Sequence, residues 1–86
     1  MDKTYEEMLS AQRAENAAND AARAHDTDVA TGRTTRGEAA ESTRLRLWRA
    51  WAATSVAATE AAKHHYGVVW ARRFGHPNPN ALALLA

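Results

Sequence analysis

On either side of "TGRTTRG" (residues 31–37) the chain is rich in helix-forming residues, but these seven residues contain two glycines and no large apolar side chain. Gly32 is placed to adopt the left-handed conformation that commonly ends a helix, so the spacing predicts a hairpin turn at residues 31–35. Thr35-Arg36-Gly37-Glu38 then matches the T-x-x-E capping box, in which hydroxyl and carboxylate satisfy amides at a helix start; Thr4-Tyr5-Glu6-Glu7 matches it as well. Two helices follow from these signals: helix 1 over about 4–30 and helix 2 over about 36–74. Asp26 and Asp28 oppose the dipole of helix 1, which predicts a fraying last turn. Pro77 and Pro79 lack amide hydrogens and end helix 2. The expected organisation is an all-α, two-helix antiparallel hairpin domain at 1–75. It is followed by a Pro/Asn linker and an apolar tail at 76–86.

Composition agrees with helix and limits the chemistry. Among 86 residues, alanine occurs 21 times while isoleucine and cysteine are absent. Helix propensity is therefore high, but large aliphatic side chains for a core are few. The lack of cysteine removes disulfides and thiolate metal sites and fits a reducing compartment. No apolar run is long enough to span a bilayer. The expected location is the cytoplasm, or the host cytoplasm or virion if the gene belongs to a phage. Nine arginines against two lysines, beside so many alanines, match the coding habit of a high-GC bacterial or phage genome. Charge is divided along the chain: up to Thr31 there are seven acidic and three basic residues, beyond it three acidic and eight basic. Two oppositely charged helices packed side by side would neutralise each other.

The stretch "RLRLWRAW" (residues 44–51) alternates like a strand, yet the alternation stops there. At 100° per residue, Leu45, Trp48, Trp51, Ala52, Val56, Thr59, Ala62, Tyr66, Val69, Trp70 and Phe74 fall in an arc of roughly 140°. Leu47 lies off that arc, and Arg46, Arg49, Glu60 and His64 lie opposite it. The arc is expected to form the inner seam. Helix 1 is expected to meet it with a broad alanine side comprising Ala11, Ala14, Ala17, Ala18, Ala21, Ala22, Ala24 and Val29. Tyr5, Met8 and Leu9 sit beside that side and are expected to be wet without a further cover. Gly67 is the weak point of helix 2, and the sequence leaves open whether the helix kinks or breaks there.

An arc this wide exceeds what one alanine-faced helix covers, so the hairpin is expected to be completed by self-association into a helical bundle. A homodimer is preferred over a higher oligomer. The expected protein-binding residues are Trp48, Trp51, Tyr66 and Trp70 with the tail leucines Leu82, Leu84 and Leu85. Catalysis is not expected, because no phosphate loop, nucleophile elbow or H-E-x-x-H pattern occurs. No cofactor, small-molecule substrate or membrane partner is expected either. His25, His64, His65 and His76 read as solvated side chains; the Glu60–His64 pair has ligand spacing, but two ligands do not make a metal site. The function expected is a non-enzymatic binding or assembly protein, such as a phage structural component or an inhibitor of a host protein. The runner-up is a small nucleic-acid-binding regulator using Arg33, Arg36, Arg44, Arg46 and Arg49.

Overall fold

A computed structural model describes residues 3–76 of the chain. It consists of two helices, α1 (Lys3–Ala30) and α2 (Glu38–Phe74), packed antiparallel, with no strand among the described residues. The hairpin is a thin rod, 57 × 27 × 14 Å. The leucines Leu82, Leu84 and Leu85 lie outside the described residues.

The turn forms where the glycines permit it, although its caps differ from the expected ones. Gly32 has φ of 79°, and its amide donates to the carbonyl of Val29 while the Thr34 amide donates to that of Asp28. The Thr31 hydroxyl donates to the Thr27 carbonyl at 2.8 Å. These bonds satisfy terminal carbonyls of α1, so its last turn holds to Ala30 despite the two aspartates. Gly37, not Thr35, is the residue before α2; it has φ of 152°, and no side chain caps the helix. The expected capping box does not form, because a backbone that only glycine adopts readily stands between the threonine and the helix. The start of α2 moves accordingly to Glu38. At the start of α1 the Thr4 hydroxyl is bonded to the ring of His65, 61 residues away. Gly67 produces no break: α2 continues to Phe74 and ends at Gly75, whose amide donates to the Ala71 carbonyl.

The seam follows a heptad pattern. On α1, positions 4, 8, 11, 15, 18, 22, 25 and 29 are buried or half-buried, in steps of alternately four and three residues. On α2 the corresponding set is 40, 47, 51, 54, 58, 61, 65 and 68, with Arg44 exposed in the same register. Alternating steps of this kind are the signature of helices paired along one narrow line. The contact of Thr4 with His65 fixes the register. Stepping along both helices from there sets Ala18 level with Trp51 and Ala22 level with Leu47, small against large. Ala22 is 0% exposed, and Met8, Ala40, Ala58 and His65 complete the buried set.

This seam corrects the expected inner face of α2. Leu45, Val56, Tyr66, Val69 and Phe74, assigned to the inside, are exposed, whereas Leu47, assigned outside the arc, is half-buried. Size alternates across the seam: Trp51 and Leu47 lie level with Ala18 and Ala22, whereas Thr54, Ala58 and Ala61 lie level with Glu15, Ala11 and Met8, so the inner positions of α2 are not a row of large side chains. The alanine side of α1 is divided too: Ala11, Ala18 and Ala22 enter the seam, while Ala14, Ala17, Ala21 and Ala24 are exposed. Met8 was expected to be wet and is buried.

Candidate functional site

Next to the seam, each helix carries a second row of residues, again in steps of three and four. On α2 the row is Leu45, Trp48, Ala52, Ser55, Thr59, Ala62, Tyr66 and Val69; on α1 it is Tyr5, Leu9, Gln12, Asn16, Asn19, Arg23 and Asp26. Contacts at both ends place the two rows on the same side of the hairpin. Near the turn, the Trp48 indole N–H donates to the Asp26 carboxylate at 3.0 Å. At the other end, the Tyr5 and Tyr66 rings lie 5.4 and 5.3 Å from the ring of His65 between them. Together the rows form one broad face with only two charged residues, Arg23 and Asp26. Asp26 is already engaged, by Trp48 and by Arg44 at 3.7 Å.

The large side chains on and beside this face are not covered by their own chain. Val56, at its rim, is 59% exposed, and Tyr66 is 62% exposed. Leu45, Val69 and Phe74 are exposed as well. The other expected binding residues divide between seam and face. Trp51 is half-buried in the seam and meets Trp48 edge to face, with ring centroids 5.6 Å apart. Trp48 is half-buried at the inner border of the face. Trp70 is half-buried at the far rim, with its ring 4.3 Å from that of Phe74. Its indole N–H is buried with no acceptor among the described residues. A donor left in that state costs about 1–3 kcal/mol.

The histidines correct another expectation, since two of the four are structural. His65 is 8% exposed and bonded through Nδ1 to the Thr4 hydroxyl at 2.9 Å. His25 is half-buried, and its Nε2–H donates to the carbonyl of Ala40 at 2.9 Å. Both tie α1 to α2. A signal for them was present in the sequence: His25 and His65 fall on the same alternating steps as Met8, Ala22 and Ala58, a pattern that a single 100° projection smears over a long helix. His64 is exposed, and among the described residues no group of three metal-ligating side chains comes together.

The arginines do not act as one cluster. Arg44 is held by Glu41 at 3.3 Å and by Asp26. Arg33 and Arg36 project from the turn, and Arg46 and Arg49 from α2; all four are exposed, with no ion-pair partner among the described residues. The cleft beside the turn, about 340 Å3, is lined by His25, Asp26, Arg36, Glu41 and Arg44, largely groups already bonded to one another. No helix of the described residues is long and apolar enough to cross a membrane. No protein-family model, curated protein or solved structure matches the chain, so the reading of this site rests on its own chemistry.

Proposed function

We propose that the protein is a small, non-enzymatic assembly protein that recognises another protein surface, first of all its own, through the face carrying Tyr66, Val69, Leu45 and the rim residue Val56. The observation that carries this reading is the exposure of Tyr66, at 62%, with Leu45 and Val69 exposed in the same row of α2, a row without a charged residue; Val56, 59% exposed, stands at the charged border of that row, between Arg49 and Lys63. Interfaces are depleted of charged residues at their centres and enriched in tyrosine and tryptophan. A monomer leaving such side chains in water forgoes roughly 1.5–3 kcal/mol for each one that a partner could bury. Static light scattering from 1 μM to 1 mM tests the proposal. The wild-type chain is expected to exceed monomer mass within that range, and the double variant Val56→Ser, Tyr66→Ser is expected to stay monomeric with unchanged helical circular dichroism. A wild-type chain that remains monomeric throughout overturns it.

Nucleic-acid binding is the second reading, favoured by four exposed arginines without an ion-pair partner among the described residues, Arg33, Arg36, Arg46 and Arg49. Four phosphate contacts predict affinity falling with the third to fourth power of salt concentration. Fluorescence anisotropy with mixed-sequence duplex DNA at 50 and 200 mM salt measures this slope. A fall of the slope to about half in Arg46→Gln, Arg49→Gln would support the second reading.

A further inference from the structure

We propose that the occupant of the uncharged face is a second copy of the chain, stacked so that α2 of each copy lies over α1 of the other, with both turns at the same end. This rests on the assembly reading above and specifies its partner. The row from Leu45 to Val69 runs about 36 Å along α2, so a short peptide covers only part of it, whereas a long helix covers all of it. A face of that length and roughly 20 Å width offers on the order of 700 Å2, close to the ~800 Å2 that each partner of a standard dimer buries. The hairpin is only 14 Å thick, one layer of helix, and a second hairpin laid on it completes a four-helix bundle.

Charge selects between the two twofold ways of stacking this face on itself. α1 carries six acidic and three basic residues, and α2 three acidic and six basic. An axis running across the rod sets α2 on α2, bringing the two basic helices together and pointing the turns in opposite directions. An axis along the rod sets each α2 over an acidic α1, so that every helix has oppositely charged neighbours on both sides, the arrangement Coulomb attraction favours. It also repeats the hairpin's own register across the interface. Tyr66 then comes level, within about one helical turn, with Tyr5 of the second copy, and Ala52 and Ser55 with the uncharged Asn16 and Gln12.

The test uses the whole chain, which has no cysteine of its own. Arg33→Cys, exposed in the turn, takes one nitroxide label per copy, and pulsed electron–electron resonance on the dimer reads the distance between labels. Turns at the same end give a single distance of about 30 Å or less, two interhelix spacings plus the label arms. A distance approaching the 57 Å length of the rod overturns this arrangement and leaves the assembly reading standing. Mass that climbs without a plateau at twice the chain mass also overturns it. Monomer mass at every concentration overturns both the arrangement and the reading beneath it.

Discussion

Along α2, the residues that meet α1 include Thr54, Ala58, Ala61 and His65, while those turned away include Leu45, Val56, Tyr66 and Val69. The inward set is small or polar and the outward set is large and apolar, the reverse of what a self-sufficient hairpin would do. Large side chains enter from α2 where α1 is small, Trp51 and Leu47 lying level with Ala18 and Ala22, and small ones where α1 is larger, Ala61 lying level with Met8. A buried methyl contributes about 1 kcal/mol, whereas a buried valine or larger apolar side chain contributes roughly 1.5–3 kcal/mol. The seam is therefore sufficient to define a register but modest in strength, and the strongest apolar contacts the chain can make are left for a second layer.

Substitutions on the two sides should behave oppositely. Ala22→Asp places a charge at a site with no solvent exposure, and a loss of more than about 3 kcal/mol is expected, enough to abolish the cooperative urea transition of the dilute monomer. Its exposed neighbour Ala21→Asp should change the same transition by only about 0.5–1 kcal/mol, the difference in helix propensity. If the two variants melt alike, the seam has been misplaced. On the outer face, Tyr66→Ser should leave the dilute-monomer transition within about 0.5 kcal/mol while weakening self-association by about 2 kcal/mol, roughly 30-fold in Kd. Sedimentation equilibrium reads the second effect and urea denaturation the first. A variant that loses both together would show that Tyr66 holds the hairpin rather than the partner. Thr4→Val keeps the shape of the side chain but leaves the buried Nδ1 of His65 without its partner, so a loss of about 1 kcal/mol in the urea transition is expected, with association unchanged.

These contrasts also show how far the letters alone reach. Two helices and a turn at Gly32 were legible, because glycine, proline and helix propensity act locally. Local too was the end of α2 near Phe74, where Gly75 adopts the left-handed conformation. The seam was not legible from the residues of α2 by themselves: its large apolar side chains invite burial, and only the alternating steps shared with α1, from Met8 to Val29, identify Leu47 and Ala58 as the inner set. The roles of His25 and His65 depend on bonds to Ala40 and Thr4, partners 15 and 61 residues away, which no local window contains. The same holds for Arg44. In the sequence it belongs to a basic cluster, yet its guanidinium is committed to Glu41 and to Asp26 on the other helix.

Gly67 gives the smallest effect and the most direct check on which side of the hairpin is used. It lies inside α2 on the side of the exposed alanines Ala53 and Ala57, away from Tyr66 and Val69, and a Cβ added to it would meet nothing within 4 Å. Gly67→Ala should therefore stabilise the helix by about 0.5–1 kcal/mol, since alanine loses less backbone freedom on folding and no neighbour must move. Thermal unfolding of the dilute chain should register this as a few degrees. Self-association should stay the same, because the new methyl joins the alanine side rather than the aromatic one. If Gly67→Ala instead changed Kd several-fold while Tyr66→Ser did not, the copies would be meeting through the alanine side, where small residues allow close helix approach, and the large side chains of α2 would have to be assigned to a different partner.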